Sequence, residues 1–256
     1  MKYIIGNWKM NLGIRESVAL ARGVIRITRG KEGLPEIIIC PAFTALSEVK
    51  KTLAHSRVSL GAQNCGVEKS GAFTGEISAG MLLDAECKYA LVGHSERRHI
   101  FGESNEIVRK RLEAMSKTKL IPVLCVGEPK SERDAGNEEN YVTDQLKSAL
   151  DGLSLHKKKP LFIAYEPVWA IGAKEPASIA EMINLQAFIR LVAKKITDLP
   201  DTSIKILYGG SVDSENAYSF LREGEVDGVL VGGASLSINK FEGIIKAASD
   251  VIVAQQ

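Results

Sequence analysis

The sequence predicts an α/β protein folded as a single closed (β/α)8 barrel. Eight short apolar β-type runs alternate with helical segments along the chain. The 256 residues are close to the length of about 250 that is typical of one barrel domain. Alternating units of this kind need parallel strands joined by right-handed crossovers. No Pro/Ser-rich linker divides the chain, so we expect residues 1–256 to form one domain.

An open doubly wound sheet is the alternative that the same alternation allows. Sheets of that kind often carry G-x-G-x-x-G or a P-loop after the first strand, and neither motif follows the first apolar run here. Eight units in about 250 residues instead match a barrel. Because barrels carry their functional residues at the C-terminal ends of the strands, those ends are where chemistry is expected.

The predicted strands are continuous Val/Ile/Leu runs rather than strict alternations. This pattern is typical of parallel strands covered by helices on one face and by a packed interior on the other. The strands are predicted at Tyr3–Asn7, Glu36–Cys40, Val58–Gln63, Tyr89–Val92, Ile121–Val126, Leu161–Tyr165, Ser203–Tyr208 and Gly228–Val231.

Helical segments lie between the strands and carry apolar residues at three- and four-residue spacing. Four such stripes are Ile14, Val18, Ala21 and Ile25; Val142, Leu146, Ala149 and Leu153; Met182, Leu185, Ile189, Val192 and Ile196; and Phe241, Ile244, Ile245, Ala248 and Ile252. Ser178-Ile179-Ala180-Glu181 matches a capping box and predicts where the third of these helices begins.

Composition and charge argue against several classes of protein. The chain has 33 Lys and Arg against 31 Asp and Glu, a net charge of +2, which disfavours electrostatic binding of nucleic acid. No run approaches the roughly 18 apolar residues of a membrane helix. Asn7 and Lys9 interrupt the apolar run at the N-terminus, so this run does not match the apolar region of a secretory signal peptide. The four histidines lack metal-site spacing, and the four cysteines form no C-x-x-C pair. We expect a cytoplasmic protein with buried free thiols and no metal.

The first strand ends in two polar residues that flank a tryptophan. Alternation of side chains points Asn7 and Lys9 toward the barrel mouth and Trp8 away from it. Lys9 is then either a fixed cation in a partly desolvated pocket or a residue that snorkels from the rim. Its position alone leaves both interpretations open, and no carboxylate is close to it in the sequence.

A histidine follows the fourth strand. His94 is expected to open a helical turn, whose dipole disfavours the charged imidazolium. A neutral imidazole can donate a hydrogen bond to a carbonyl, although a His that simply caps the turn is the structural alternative. The next basic residues, Arg97 and Arg98, are interpreted as structural ion-pair partners.

A carboxylate follows the sixth strand. Glu166 ends an apolar run, where its charge is unfavourable unless it is paired or functional. Pro167 and the apolar residues 168–171 come next. We interpret residues 167–177 as a lid that closes over Glu166 and excludes water, with a buried loop anchor as the alternative.

Paired glycines end the seventh and eighth strands, in Gly209-Gly210-Ser211 and Gly232-Gly233-Ala234-Ser235. Glycine lets backbone N–H groups approach and surround an anion. In barrels the loops after these two strands commonly hold phosphate. One such pair would be weak support, whereas two at adjacent strand ends predict a phosphate site.

Together these residues indicate a small phosphorylated substrate at the barrel mouth. A single carboxylate beside neutral or cationic donors suits removal of a proton next to a carbonyl. Glu166 is the candidate base, and Lys9, Asn7 and His94 are the candidates that stabilise the enediolate oxygens. This chemistry requires neither a metal nor a dinucleotide.

The motifs at the strand ends resemble the triosephosphate isomerase family over the whole chain and in the family's order. They are Asn-Trp-Lys-Met-Asn at 7–11, Gly-His-Ser-Glu-Arg-Arg at 93–98, Ala-Tyr-Glu-Pro-Val-Trp-Ala-Ile-Gly at 164–172, Tyr-Gly-Gly-Ser-Val at 208–212 and Val-Gly-Gly-Ala-Ser-Leu at 231–236. The resemblance implies a TIM barrel that interconverts dihydroxyacetone phosphate and D-glyceraldehyde 3-phosphate in glycolysis and gluconeogenesis. It also implies a homodimer and no cofactor.

The resemblance also implies a role for each site residue. Glu166 would move the proton between C1 and C2, and His94 would polarise the carbonyl. Lys9 would be the substrate-binding cation and Asn7 a donor on the oxygen side. Glu96 would orient the region of Lys9 and His94.

Backbone N–H groups would hold the phosphate at Gly172, Ser211, Gly232 and Gly233. Residues 64–78 resemble the family's dimer loop, from which Thr74 would reach into the partner subunit's site.

The sequence departs from the family's pattern in one segment. After Gly172 the family usually continues Thr-Gly-Lys-Thr-Ala, whereas this chain has Ala173-Lys174-Glu175-Pro176-Ala177. Lys174 stands where a Gly usually allows the tip to turn, and Pro176 narrows the conformations of the hinge. This departure leaves undetermined how fast the lid opens and closes, while the expected chemistry does not change.

Two other functions remain as alternatives. Lys9 could form a Schiff base in an aldolase-type barrel. Alternatively, the barrel could bind phosphates without turnover, which would fit a damaged site better than the complete set of Lys9, His94 and Glu166.

Overall fold

The computed structural model describes residues 1–155, 159–171 and 178–255. Within these ranges the chain forms eight parallel strands in a closed barrel. The strands are β1 (Tyr3–Asn7), β2 (Glu36–Cys40), β3 (Ser59–Ala62), β4 (Tyr89–Val92), β5 (Ile121–Val126), β6 (Leu161–Tyr165), β7 (Ile204–Tyr208) and β8 (Gly228–Val231).

The barrel closes because β1 pairs with both β2 and β8. Tyr3 lies opposite Glu36 on one side and Gly228 on the other, and all eight pairings are parallel. The predicted closed (β/α)8 barrel is therefore confirmed, and the open sheet is excluded. Two predicted strands were too long. At the start of β7, for example, Ser203 belongs to a 3-10 turn, where its N–H donates to Pro200 O instead of the sheet.

Helices cover the outside of the barrel. In the described ranges they are α1 (Ile14–Thr28), α2 (Leu46–Thr52), α3 (Ala79–Asp84), α4 (Ser95–His99), α5 (Asn105–Ser116), α6 (Lys130–Asp134), α7 (Glu138–Leu150), α8 (Ile179–Thr197), α9 (Ala217–Leu221) and α10 (Ile238–Ala254). None of these helices combines the length and apolarity needed to cross a bilayer. The predicted capping box is confirmed: the Ser178 hydroxyl accepts from Glu181 N–H, and the Glu181 carboxylate accepts from Ser178 N–H.

The apolar stripe predicted for α1 is confirmed only in part: Ala21 is buried, whereas Val18 and Ile25 are only partly buried and Ile14 is exposed. Ile14 is 46 % exposed, while Ser17, Ala21 and Val24 are buried. Thr28 can also be buried because its hydroxyl donates to Val24 O. Hydrophobicity alone therefore does not predict that Ser17 and Thr28 belong to the buried face of α1.

The core has two layers separated by the strands. The inner layer fills the barrel with side chains such as Ile5, Ala164 and Leu230, and the outer layer packs strands against helices. Side chains alternate between these layers along each strand. Two residues beyond Ile5 and Ala164, the same alternation brings Asn7 and Glu166 to the barrel mouth, as predicted.

All four cysteines are free and buried, which confirms the sequence prediction. Burial raises the pKa of Cys65 to about 11 and that of Cys87 to about 12. Burial also raises the pKa of Cys40 and Cys125. Each thiol is therefore held in its unreactive protonated form.

We expect none of the four thiols to react rapidly with a disulfide reagent at about pH 8 in the folded protein. All four should react once the chain is unfolded in denaturant. The absorbance of the released thiolate measures both states. Rapid labelling of one or more cysteines in the native protein would contradict this prediction.

Candidate active site

The carboxylate that follows β6 meets the histidine that follows β4 at the barrel mouth. Glu166 is 1 % exposed, and its Oε1 lies 3.2 Å from His94 Nε2. Its other oxygen, Oε2, accepts a hydrogen bond of 2.8 Å from the backbone N–H of Ser95. Ser95 is the first residue of α4, and an N–H at a helix N-terminus stabilises a carboxylate. The backbone N–H of Ser95 therefore holds Oε2 of Glu166, and Oε1 is left facing the imidazole.

The hydrogen bonds of His94 assign its proton. His94 is the N-cap of α4, and its Nδ1 accepts from the backbone N–H of Glu96 at 3.2 Å. An imidazole nitrogen that accepts a hydrogen bond carries no proton, so the neutral ring has its N–H at Nε2. His94 therefore caps the turn, as the structural alternative required, and also presents a donor to the site.

Lys9 adopts a left-handed backbone conformation, with a φ of 51°. This conformation is uncommon outside glycine and is maintained by surrounding contacts. The Lys9 N–H donates to Asn7 Oδ1 at 3.1 Å, and the Lys9 carbonyl accepts from Gln63 Nε2 at 2.8 Å. Asn7 is itself buried. The turn thus fixes where the Lys9 side chain leaves the backbone.

The ammonium of Lys9 is paired with a carboxylate from another part of the chain. Lys9 Nζ lies 2.5 Å from Glu96 Oε1. Glu96 is 87 residues away along the chain, so the sequence around Lys9 does not indicate this pair, although the family resemblance implied that Glu96 orients the region of Lys9 and His94. Both side chains are partly exposed, at 27 % and 39 %. Trp8 points away from the mouth into the outer core, as predicted.

The two arginines after His94 have different partners. Arg97 forms the predicted ion pair, with Nη2 2.6 Å from Glu103 Oε1. Arg98 was wrongly predicted to be an ion-pair partner, because it donates to uncharged oxygens. Its Nε binds Gly93 O at 2.7 Å, and its Nη1 binds Asn105 Oδ1 at 2.6 Å. These bonds hold the loop after β4 in place.

Most of the predicted catalytic and phosphate-binding residues that the structure describes line one cavity of about 400 Å³. Its described lining includes Asn7, Lys9, His94, Glu166, Ser211, Gly232 and Gly233. Glu96 lies instead in the described lining of a neighbouring cavity, which it shares with Lys9 and His94. Gly232 and Gly233 lead into a 3-10 turn at Gly233–Leu236. In the described residues no group of three or more His, Cys, Asp or Glu side chains could hold a metal ion.

Other predicted features are not part of this described lining. Gly172, together with Lys174 and Pro176 of the predicted lid, lies outside the described residues. Thr74 is exposed and does not belong to the described lining of its own chain's cavity.

The structure adds a buried carboxylate that sequence analysis missed. Glu128 is fully buried, and its Oε1 accepts from Trp169 Nε1 at 2.8 Å and from the Tyr165 hydroxyl at 3.1 Å. Burial raises the pKa of Glu128. The signal was available, since Glu128 follows the apolar run of β5 as Glu166 follows that of β6. Its bonds hold Trp169 in the short 3-10 turn Val168–Ala170.

Asp213 and Lys240 were also missed as members of the cavity lining. Asp213 lies in the loop after β7 and Lys240 in α10, several residues beyond the strand ends, and no local motif marks either residue.

Comparison with known proteins identifies the family. The model of a family described as triosephosphate isomerase matches residues 2–248. A triosephosphate isomerase of Aquifex aeolicus is 44 % identical over 244 residues, which are 95 % of this chain and 98 % of that protein. One of Rhodopirellula baltica is 42 % identical over 246 residues, covering 96 % of each chain. One of Dictyoglomus thermophilum is 42 % identical over 247 residues, covering 96 % of this chain and 99 % of its own. The chain therefore belongs to the triosephosphate isomerase family.

Proposed function

We propose that this protein interconverts dihydroxyacetone phosphate and D-glyceraldehyde 3-phosphate, a step of glycolysis and gluconeogenesis. The observation that carries the proposal is that Glu166 Oε1 and His94 Nε2 lie 3.2 Å apart in one cavity, while His94 Nδ1 accepts from the Glu96 N–H and leaves Nε2 as the donor. Moving a proton between two adjacent carbons of a carbonyl compound needs a base for the proton and a hydrogen-bond donor for the carbonyl oxygen.

In the proposed mechanism Glu166 removes a proton from one carbon of the substrate and returns it to the next. The substrate inserts between Glu166 Oε1 and His94 Nε2, which are 3.2 Å apart without it. The imidazole N–H is then free to donate to the substrate carbonyl. Burial of Glu166 favours the transfer, because a base shielded from water reacts with the carbon acid rather than with solvent.

Lys9 and Asn7 stabilise the negative charge that develops on the enediolate oxygens. The Lys9 ammonium supplies a cation at the cavity wall, and Glu96 positions it through their ion pair. Preformed donors of this kind need no reorganisation when the charge appears. Asn7 also orients Lys9 by accepting its N–H.

In the proposal the phosphate is bound in the same cavity by the N–H groups of Ser211, Gly232 and Gly233, with Gly172 as a fourth donor. Glycine leaves these backbone groups open to an anion. Residues 167–177 act as the lid over the site. The described start of this segment supports that role, since Ser211 Oγ donates to Ala170 O at 2.8 Å and so joins the lid to the proposed phosphate site.

Substitution of Gly209 by alanine tests the placement of the base. A methyl group at this position would lie 2.8 Å from Glu166 Cγ, so the Glu166 side chain must shift. Because a displacement of about 1 Å can lower a rate by about a hundredfold, we expect kcat to fall by about ten- to a hundredfold. Gly224→Ala is the control, since its methyl group meets no atom within 4 Å. Wild-type kcat in Gly209→Ala would contradict the proposed position of Glu166.

The proposed activity is tested by a coupled assay that starts from dihydroxyacetone phosphate and oxidises the aldehyde product. We expect turnover without added metal or cofactor, and the same enzyme should act in the reverse direction. Borohydride added with the substrate separates the aldolase alternative, because it would trap a Schiff base at Lys9 as a stable adduct. A trapped adduct, or the absence of isomerisation, would refute the proposal.

We also propose that the protein is a homodimer in which residues 64–78 of one subunit dock beside the site of the other. This loop carries Phe73 in an exposed position, next to Thr74. A second cavity of about 290 Å³ adjoins Lys9 and His94, and its described lining includes the exposed apolar residues Met10, Phe43 and Phe101. The same lining contains Asn64, whose buried Oδ1 has no hydrogen-bond partner among the described residues. A polar group such as the partner's Thr74 hydroxyl would satisfy that oxygen.

Sedimentation velocity tests the dimer. We expect the wild type to sediment as a dimer and Phe73→Asp as a monomer. Leu191→Asp changes another exposed apolar residue, 66 % exposed on α8, and should remain dimeric. A monomeric wild type would refute the proposal.

A cytoplasmic location is proposed on separate grounds, since four free cysteines suit a reducing compartment.

A further inference from the structure

The cavity at the barrel mouth contains a cation that the proposed mechanism does not use. Lys240 lines this cavity together with Lys9, Glu166 and Ser211. Its side chain is exposed and has no carboxylate partner within 4.0 Å in the described ranges. An unpaired cation at the edge of a substrate cavity is free to interact with a bound or approaching anion.

Stability of α10 does not explain a lysine at this position. Lys240 lies in the first turn of the helix, where the dipole favours acidic residues and opposes a cation. The first turn contains no acidic residue, and the side chain of the N-cap, Ser237, forms no capping hydrogen bond. Lys240 therefore lies at a helix end that attracts anions, and no acidic residue of the first turn supplies the negative charge there.

The other charges of the cavity indicate what this cation does. Lys9 is the other lysine of the described lining, and Glu96, 2.5 Å away, already partly neutralises it. Glu166 and Asp213 add two carboxylates to the same lining. Without Lys240 a phosphate dianion would therefore approach a mouth whose carboxylates outnumber its unpaired cations, against a repulsive field.

We propose that Lys240 is a specificity residue that attracts and holds the phosphate group of the substrate. The proposal rests on the proposed function, because it takes the ligand to be a phosphomonoester dianion. Gly210, Gly232 and Gly233 of the same cavity offer backbone donors without competing side chains, and Lys240 supplies the net positive charge that N–H groups lack. Because the ammonium is exposed on a flexible stem, its effect acts on substrate capture and decreases with salt.

The kinetic test compares Lys240→Gln with Lys246→Gln, which removes an exposed lysine of the same helix outside the described cavity lining. At an ionic strength of about 20 mM we expect Lys240→Gln to lower kcat/KM for dihydroxyacetone phosphate by about three- to tenfold, through KM, with kcat within about twofold. At about 500 mM, where the ions screen the charge, the difference should disappear. Lys246→Gln should match the wild type throughout, and Lys240→Arg should retain most of the effect of the charge.

Binding of inorganic phosphate separates this inference from the proposed function. Calorimetric titration requires no turnover, and we expect Lys240→Gln to raise the Kd for phosphate by about three- to tenfold at low salt. If the wild type lacks isomerase activity but phosphate binding weakens in this way, the proposed function fails and the role of Lys240 holds.

Three results would overturn the inference. They are equal behaviour of Lys240→Gln and Lys246→Gln, a defect that persists undiminished at high salt, and a wild type that does not bind phosphate at low salt.

Discussion

Replacing Glu166 by aspartate is expected to lower kcat by about a hundredfold while the protein folds normally. The substitution retracts the carboxylate by about 1 Å, which is enough to misplace a base relative to the carbon it attacks. In the structure Glu166 Oε2 reaches the Ser95 N–H at 2.8 Å while Oε1 lies 3.2 Å from His94 Nε2. An aspartate cannot keep both distances. Initial rates over a range of substrate concentrations measure the effect, and KM should change far less than kcat.

Glu166→Gln is the matched variant, because it keeps the length of the side chain and removes its basicity. We expect it to be less active than Glu166→Asp. Circular dichroism and urea unfolding should show that both variants fold. If Glu166→Asp kept kcat within a few-fold of the wild type, Glu166 would not be the base.

Replacing Lys9 by methionine is expected to lower kcat/KM by about a hundred- to a thousandfold or more, the range seen when one stabilising donor is lost. The variant should also bind inorganic phosphate more weakly. Stability should change little, because the Lys9–Glu96 pair is partly exposed and pairs of that kind contribute about 1 kcal/mol or less. Steady-state kinetics and urea unfolding measure the two effects separately.

Lys9→Arg separates charge from geometry. It keeps the positive charge but replaces a compact ammonium with a planar guanidinium, so we expect intermediate activity. An active Lys9→Met enzyme would mean that Lys9 merely snorkels at the rim. Loss of activity accompanied by unfolding would show that the turn around Lys9 has a structural role instead.

The fold and most of the candidate site could be predicted because they depend on local patterns. Buried parallel strands are apolar on both faces, so the first and last residues of an apolar run predict where the strand begins and ends. This holds for Tyr89–Val92 and Leu161–Tyr165. A polar group at the end of such a run is conspicuous for the same reason. This signal located Asn7, His94 and Glu166, and it was equally present for Glu128, which we overlooked.

Contacts between distant parts of the chain could not be predicted from those patterns. The pairing of Lys9 with Glu96 and the uncharged partners of Arg98 depend on how the loops after different strands meet. In α1 Ser17 is buried, while the more hydrophobic Ile14, at the first position of the helix, is exposed, and the residue types alone do not predict this order.

The sequence by itself determined that this chain forms a barrel and which strand ends carry chemistry, since alternation and apolarity are properties of short segments. The tertiary structure alone decided how those ends face one another. Closing β1 onto β8 brings Lys9 against Gly232, and the loops after β4 and β6 place His94 beside Glu166. Lys240 joins the same cavity from a helix, without any motif. Distances between side chains follow from packing of the whole barrel, and no segment encodes them separately.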